Sequence, residues 1–208
     1  MDIAVVDYGM GNLRSVSKAL EHVAPRARVR VTDKAEEVLC ADRVVVPGQG
    51  AMPDCMRELR SRGLDSAVIT ASQTRPLLGI CIGLQMLFER SEEGDVPGLG
   101  LFSGVVRRFP AHPADAGGHR LKVPHMGWNE VAQTGEHPLW AGIGQGSRFY
   151  FVHSYYADAP QVASGTCHYA VPFTAAIARD NIFAVQFHPE KSQSAGLMLL
   201  RNFVHWHP

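Results

Sequence analysis

Short apolar runs alternate with amphipathic segments along the first part of the chain. Four apolar runs of strand length lie at 3–6, 29–31, 43–47 and 76–80. Apolar positions at helical spacing separate these runs and predict helices near 12–24, at 35–39, from about 52 and near 64–74. Strands and helices in this alternation are typical of a parallel sheet with helical crossovers. The pattern therefore predicts an α/β fold.

After about residue 100 the apolar runs become shorter and richer in aromatic and β-branched residues. The clearest runs lie at 104–109, 148–157, 174–179 and 182–187, and a last helix is predicted near 193–206. The stretch 111–120 is rich in small and turn-forming residues, which predicts a surface loop. We predict a single domain over residues 1–208, layered around a central, mostly parallel mixed sheet flanked by helices, with an added antiparallel portion.

Length and charge restrict the possible functions. The chain has 208 residues, 46% of them apolar, which is enough for a full hydrophobic core. Lys plus Arg and Asp plus Glu both number 20, which favours small molecules or proteins as partners over nucleic acid or a membrane surface. The start MDIAVVDYG lacks the basic and apolar segments of a signal peptide, and no apolar stretch approaches the roughly 18 residues of a spanning helix. We expect a cytoplasmic protein.

The four cysteines lie at wide and unequal intervals. Cys40, Cys55, Cys81 and Cys167 form no C-x-x-C pair, which argues against a disulfide framework and against a zinc ribbon. A free cysteine is commonly a small buried apolar residue, and we expect this for all of them except Cys81. We expect neither a metal nor a cofactor.

Cys81 lies in the pentapeptide Gly79-Ile80-Cys81-Ile82-Gly83, between an apolar strand and a segment predicted to be an amphipathic helix. This is the pattern of a nucleophile elbow, in which a sharp strand-to-helix turn strains the nucleophile and flanking glycines let the backbone approach closely. We expect the sulfur to lie above the sheet edge, at the positive end of the helix, where the thiolate is favoured. The pentapeptide alone is equally consistent with a buried cysteine in a tight turn.

A thiolate nucleophile needs a base, and the segment FHPEKS at 187–192 offers one. It follows a predicted strand, and side chains two apart on an extended backbone point the same way, so His188 and Glu190 are expected to share a face. Glu190 would then orient the imidazole that takes the proton of Cys81. An H-x-E pair alone is more often a surface ion pair, but combined with the elbow it predicts a Cys-His-Glu triad.

Acyl transfer also requires hydrogen-bond donors for the developing oxyanion. The glycine-rich loop after the third apolar run contains Gly48, Gln49 and Gly50, whose backbone could turn its N–H groups inward. The backbone N–H of Ile82, directly after the nucleophile, is the natural second donor. Without the triad, an ordinary turn would be the better interpretation of this loop.

The strings PGQG, GICIGLQ and FHPE, in this order, resemble the class I glutamine amidotransferases over nearly the whole chain. The resemblance implies that Cys81 forms a glutamyl thioester, that His188 acts as base and then as acid, and that Glu190 orients it. It also implies that Gln85 holds the amino-acid end of the substrate. The family loop usually reads P-G-V-G, and Gln49 here replaces the valine, which puts the conformational switching of that loop in doubt.

Four further strings are similar to the glutaminase subunits of imidazole glycerol phosphate synthase: DYGMGNLRSV (7–16), FERSEEG (88–94), PHMGWN (124–129) and RFYFVHSYY (148–156). The similarity implies that Glu93 and Ser154 help to bind glutamine. It also implies that Asn12, Trp128 and Lys191 lie near a (β/α)₈-barrel cyclase subunit, the partner in a heterodimer. Ammonia freed from glutamine would pass to that subunit for a step of histidine biosynthesis. For His125 and His153, which lie in these strings, packing or an interface is as good an interpretation as chemistry.

Other functions remain open at this point. An amidotransferase subunit that serves a different synthase would share the triad, and PHMGWN and YFVHSY argue against it. A cysteine peptidase would need an open groove, and a non-catalytic interaction module would have no use for an intact triad. A dinucleotide site after the first strand fails as a motif, because Arg14 stands where the third glycine is required.

Overall fold

A computed structural model describes residues 1–114 and 117–208 of the chain. The elements of the first part are β1 (Asp2–Val6), α1 (Leu13–Val23), β2 (Arg28–Thr32), α2 (Ala35–Cys40), β3 (Arg43–Gly48), α3 (Met52–Ser61), α4 (Leu64–Ala71), β4 (Leu77–Cys81) and α5 (Ile82–Gln85).

The second part is richer in strands. Its elements are β5 (Phe88–Ser91), β6 (Val96–Pro97), β7 (Phe102–Arg108), β8 (His125–Glu130), β9 (Ala132–Gln133), β10 (Arg148–His153), β11 (Tyr155–Asp158), β12 (Ala163–Tyr169), β13 (Val171–Arg179), β14 (Ile182–Val185) and α6 (Gln193–His205). Short 3₁₀ turns lie at Pro138–Trp140, Pro160–Val162 and Pro189–Lys191.

The large sheet has the strand order β2, β1, β3, β4, β14, β13, β11, β7, β5, β6. The first five of these strands are parallel, and β14, β13, β11 and β7 then pair antiparallel. Strands β12 and β9 extend from β13, while β8 and β10 form a separate two-stranded ribbon. The predicted mixed sheet with an added antiparallel portion is therefore confirmed.

The parallel strands are apolar because helices cover both faces of that part of the sheet. Every residue of β3, β4 and β14 is buried, so these strands show continuous apolar runs instead of alternation. Helix α1 buries one stripe, Val16, Leu20 and Val23, and its N-terminus is capped by Asn12, whose side-chain oxygen accepts a bond from the backbone of Ser15. The carboxyl ends of β3, β4 and β14 therefore meet at one edge of a rigid layer.

The helix predicted after Cys81 is wrong beyond its first turn. Helix α5 has four residues, and the chain then continues into strand β5, which pairs with β7. Residues 81–88 are all buried, so the segment has no polar face to turn toward water. Helix α4 is also shorter than predicted and ends at Ala71, where Ser72 turns its hydroxyl back to the carbonyl of Ile69.

The predicted strand 148–157 is two strands in different sheets. Strand β10 pairs with β8 in the ribbon, and β11 pairs with β7 in the large sheet, so the chain changes sheets at Ser154. Strands β8, β9 and β12 were not predicted, because their mixed polar sequences carry no clear alternation. Residues 115 and 116 of the predicted loop 111–120 lie outside the described residues, and the others form neither a helix nor a named strand. Within 1–114 and 117–208, no helix is sufficiently long and apolar to cross a membrane.

Candidate active site

Cys81 occupies a strained turn at the centre of the sheet edge. It ends β4, lies beside Gly48 of β3, and has φ 56° and ψ −109°, a conformation that non-glycine residues rarely adopt. A Cβ on Gly83 would lie 1.8 Å from the carbonyl oxygen of Val46, and one on Gly79 would lie 2.8 Å from the carbonyl oxygen of Gly83. The sharp strand-to-helix turn is therefore present, and it depends on glycine on both sides of the cysteine.

The surroundings of the sulfur differ from the expectation in the helix that follows it. Cys81 ends β4 at the sheet edge and lines a pocket there, with only 4% of the residue exposed. Helix α5 has a single turn, and so short a helix supplies little dipole. A side-chain amide is the nearby donor instead, because Nε2 of Gln186 lies 3.7 Å from the Cys81 sulfur.

His188 and Glu190 form a buried pair. Nδ1 of His188 lies 2.8 Å from Oε1 of Glu190, and both side chains are almost fully enclosed. The extended backbone expected for this segment is wrong, since Pro189–Lys191 form a 3₁₀ turn. This turn places the Glu190 carboxylate at hydrogen-bonding distance from Nδ1 of His188. The turn is anchored at both ends, because the backbone N–H of His188 donates to Tyr150 and the Ser192 hydroxyl donates to the His188 carbonyl.

The surroundings of His188 favour its protonated form. Burial is the largest influence and lowers its pKa, but the electrostatic and hydrogen-bonding interactions with Cys81 and then with Glu190 together outweigh burial and raise the pKa to about 10. Because Nδ1 is engaged by Glu190, Nε2 is the ring nitrogen on the side of Cys81, and apart from that sulfur it has no hydrogen-bond partner among the described residues. A buried Nε2–H beside the cysteine sulfur, in the wall of the same pocket, is available for proton transfer.

The pocket beside Cys81 has a volume of about 310 Å³. That is the small end of the range for small-molecule sites, roughly 300–1,000 Å³. Its walls are Gln49, Gly50, Cys81, Ile82, Gln85, Glu93, Pro124, Val152, His153, Ser154, Tyr155 and His188. Nine residues named from the sequence thus meet around one small pocket, which does not suit the extended chain of a peptidase substrate.

The residues expected to bind glutamine differ in how they are held. Nε2 of Gln85 donates to the Tyr155 carbonyl and to Oε1 of Gln186, both at 3.0 Å, while its own Oε1 is buried and without a partner among the described residues. The carboxylate of Glu93 accepts a bond from the backbone N–H of Met52 at 2.8 Å. Ser154 lies where the chain changes sheets, and its carbonyl accepts from Phe109. An acceptor and a carboxylate are therefore available for an ammonium group.

The residues expected near the oxyanion fall into two groups. Gln49, Gly50 and Ile82 line the pocket, and Gly50 has φ 116°, which favours glycine. The backbone N–H of Ile82 opens a helix and so has no acceptor within that helix. Gly48 lies in β3 outside the pocket wall, and its requirement is for space, because a Cβ there would lie 2.6 Å from Cβ of Ile82.

The residues expected at a partner interface lie outside the pocket. Trp128 is 41% exposed on β8 and packs edge-on against Tyr150, and Nζ of Lys191 lies 6.0 Å from the centre of the same Tyr150 ring. Met126, which no sequence pattern singles out, is also exposed on β8, two residues from Trp128 and so on the same face. Asn12 caps α1, the helix that packs beside the 189–191 turn.

A buried histidine pair, of which His153 lines the pocket and His125 lies behind it, has no definite role that the sequence indicates. Nδ1 of His125 lies 2.9 Å from Nε2 of His153, and the His125 ring stacks on Tyr169 at 4.0 Å. Burial lowers the pKa of His125 to about 4 and, helped by the nearby histidines, that of His153 to about 3. Gln186 was missed as well, since nothing in the sequence links it to a cysteine 105 positions away.

Comparison with known proteins gives a consistent picture. The family model described as Glutamine amidotransferase class-I matches residues 4–206. The chain is 64% identical over 209 residues to "Imidazole glycerol phosphate synthase subunit HisH" of Dechloromonas aromatica, covering 99% of this chain and 97% of the relative. It is 62% identical over 212 residues to the protein of the same name from Thiobacillus denitrificans, covering 100% of this chain and 92% of the relative.

Solved structures with little sequence identity share the fold. PurLQS from Thermotoga maritima matches with a TM-score of 0.69 at 16% identity, covering 98% of this chain and 97% of that chain. A structure titled glutamine amidotransferase matches with a TM-score of 0.66 at 18% identity, covering 97% of each chain. At such identities the likeness supports the fold alone.

Proposed function

The chain belongs to the class I glutamine amidotransferase family, and on this premise we propose that it is the glutaminase subunit of an imidazole glycerol phosphate synthase. It hydrolyses glutamine to glutamate and ammonia, and the ammonia passes to a cyclase subunit that works in histidine biosynthesis. The observation that carries the proposal is identity of 61–64% over 99–100% of this chain to several subunits of that name.

Glutamine enters the 310 Å³ pocket with its side-chain amide toward Cys81. Its ammonium group meets the Glu93 carboxylate and the free Oε1 of Gln85, and its carboxylate lies along the wall formed by Ser154. A charge facing an opposite charge in an enclosed space binds more strongly than in water. The substrate is thereby oriented before any bond changes.

The reaction proceeds in two halves. The Cys81 thiolate attacks the amide carbon, a C–S bond forms, and the carbonyl electrons move to oxygen, where backbone N–H groups of Ile82 and the Gln49–Gly50 loop stabilise the charge. The C–N bond then breaks as His188 gives its proton to the leaving nitrogen, releasing ammonia. In the second half His188 takes a proton from water, the water oxygen attacks the thioester, and glutamate leaves as the thiolate re-forms.

Glu190 contributes through the ring of His188. Its carboxylate accepts the Nδ1–H bond, which leaves Nε2 on the pocket side in each protonation state that the cycle needs. Because both side chains are buried, the carboxylate also stabilises the positive ring more than it would in water.

A partner is needed because free ammonia is mostly protonated in neutral water and is then no longer a nucleophile. The exposed apolar side chains Met126 and Trp128 on β8, with Lys191 beside Tyr150, form the surface that we assign to the cyclase subunit. The reaction uses no metal or cofactor, and the balanced charge of the chain gives no reason to expect nucleic acid or a membrane surface as a partner. We assign the protein to the cytoplasm, where soluble biosynthetic intermediates are available.

The test is glutamate release from glutamine by the purified chain, alone and with an imidazole glycerol phosphate synthase cyclase subunit and its nucleotide ligand. Cys81→Ala is measured in parallel, with Cys40→Ala as the matched control because Cys40 is exposed and does not line the pocket. We expect little activity alone, strong stimulation by the pair, none with Cys81→Ala and full activity with Cys40→Ala. Cysteine-dependent activity without any response to the cyclase would reject the subunit assignment, and no hydrolysis under any condition would reject the enzyme.

A further inference from the structure

Gln186 lies directly beside the nucleophile. Strand β14 runs parallel to β4 with Val185 opposite Ile80, so the next residue of each strand, Gln186 and Cys81, are neighbours at the sheet edge. Gln186 is 0% exposed, and its Nε2 lies 3.7 Å from the Cys81 sulfur. A buried amide is retained beside a sulfur only if its polar atoms have partners, and here every one of them does.

The direction of the Gln186 amide follows from its neighbours. A backbone carbonyl can only accept, so the Tyr155 carbonyl requires the NH₂ end of Gln85 to face it, at 3.0 Å. The second hydrogen of the same NH₂ group then points to Gln186, whose oxygen must be the atom that accepts, again at 3.0 Å. The NH₂ end of Gln186 is therefore directed at Cys81, and the sulfur faces a donor.

The Tyr155 carbonyl also accepts a hydrogen bond from the histidine pair. Nδ1 of His153 donates to it at 2.8 Å, which leaves Nε2 of a neutral His153 to accept from Nδ1 of His125. Nε2 of His125 then accepts from Asn129, whose NH₂ group also donates to the carbonyl of His168. The backbone carbonyls of Tyr155 and His168, at the two ends of this series of hydrogen bonds, therefore determine which atom of each side chain donates and which accepts.

We propose that Gln186 is a positioning residue for the nucleophile: its amide donates to the Cys81 sulfur, holds it toward the pocket and stabilises its negative charge, with Gln85 and the Tyr155 carbonyl fixing the direction of the amide. The inference rests on the proposed function, because it concerns the same sulfur. It assigns to a side chain the stabilisation that a one-turn helix α5 cannot supply. It also gives Gln85 a second task besides binding substrate.

The proposal can be tested by labelling the four cysteines of the chain in a single sample. Cys81 reports the reactivity of the nucleophile, Cys40 is exposed and serves as the reference for the reagent, and the buried Cys55 and Cys167 become labelled only if the chain opens. The full chain is treated briefly with iodoacetamide from pH 5 to 9, and peptide mass spectrometry gives the labelling of each cysteine. Gln186→Met removes the donor at similar size, and Gln186→Glu keeps the acceptor for Gln85 but removes the donor. Gln73→Met, at an exposed glutamine, is the matched control.

We expect the labelling of Cys81 relative to Cys40 to fall about tenfold near neutral pH in Gln186→Met, and its profile to move to higher pH, because a hydrogen bond to a charged group is lost. The labelling of Cys81 should fall further in Gln186→Glu, since a carboxylate would face the thiolate. With the cyclase present, Gln186→Glu, which keeps the acceptor for the substrate-binding Gln85, should lower kcat about tenfold or more while KM for glutamine stays within about twofold. Cys55 and Cys167 should remain protected, and Gln73→Met should behave as the unsubstituted chain.

Two other outcomes are separable. If the unsubstituted chain hydrolyses glutamine and Gln186→Met matches it in Cys81 labelling, pH profile and kcat, the positioning role is rejected while the glutaminase stands. If the Cys81 of the unsubstituted chain labels no faster than Cys40 and no hydrolysis occurs with the cyclase, the proposed function fails, and this inference with it.

Discussion

The neutral pair formed by His153 in the pocket wall and His125 behind it should make the folded chain sensitive to mild acid. His125 and His153 have pKa values lowered from 6.5 to about 4 and about 3, chiefly because burial disfavours their charged forms. In the unfolded chain both rings take up a proton as the pH falls through about 6.5. The unfolded state then binds more protons than the folded state, so stability is retained above this pH and is lost below it.

The magnitude follows from these values. Between pH 7.5 and pH 5 each histidine lowers the free energy of unfolding by roughly 2 kcal/mol, which is a large part of the 5–15 kcal/mol typical of a folded protein. The effect of His188 has the opposite sign, because its pKa is raised to about 10 and its protonation therefore stabilises the fold at low pH. That effect is the same in two proteins that differ only at residue 125, so a comparison of the two removes it.

His125→Asn is the appropriate substitution. The Asn side chain can still donate to His153, but it does not titrate. It also loses the stacking on Tyr169, so a constant loss of stability at all pH values is expected and only the pH dependence is diagnostic. Urea unfolding followed by tryptophan fluorescence at pH 7.5, 6 and 5 should show a decline smaller by about 2 kcal/mol than in the unsubstituted chain. His207→Asn, at an exposed position, should leave the decline unchanged. An equal decline with His125→Asn would refute the reasoning.

Three further predictions concern the elbow, the triad and the interface. Glu190→Gln removes the charge beside the base and should lower kcat about 100-fold or more with little change in KM; steady-state kinetics with the cyclase that kept kcat within about threefold would contradict this. Gly83→Ala places a methyl group 1.8 Å from the Val46 carbonyl oxygen and should lower the melting temperature by more than about 10 °C, whereas Gly135→Ala, with no atom within 4 Å, should not change it. Trp128→Ala should weaken cyclase binding about tenfold or more in a titration and leave the melting temperature of the free chain within about 2 °C, because the ring is 41% exposed; unchanged affinity would remove Trp128 from the interface.

The parts of this molecule that could be predicted from sequence are those whose signal lies within a short stretch of consecutive residues. The glycines around Cys81 indicate the elbow, and the apolar runs of β1, β3, β4 and β14 indicate the parallel sheet, because each signal is complete within a few positions. Helix α5 is shorter than the pattern predicts because residues 82–88 are all buried and, except for Gln85, carry no polar side chain, and such a run does not distinguish a helix from a turn followed by a strand.

The parts that could not be predicted depend on residues far apart in the chain. The hydrogen bond between Gln85 and Gln186 joins residues 101 positions apart, and that between His125 and His153 joins residues 28 positions apart. No local sequence pattern therefore predicts either of them. The change from one sheet to the other at Ser154 could not be predicted for a related reason. Strands β10 and β11 form one continuous aromatic run in the sequence, and only their different partner strands, β8 and β7, separate them. The H-x-E spacing predicts the pairing of His188 with Glu190, but not the 3₁₀ turn at Pro189 through which the pairing is made.

The left-handed backbone of Cys81 sets the folding of this chain and its chemistry against each other. A residue with a side chain in that conformation costs about 1–3 kcal/mol, and glycine would not incur the cost. Selection for folding alone would therefore favour glycine at position 81, and cysteine persists there only while turnover is itself under selection. In a descendant that no longer hydrolysed glutamine, this would be among the first positions free to change. Glycine at this position in an otherwise similar sequence would then indicate that catalysis had been lost.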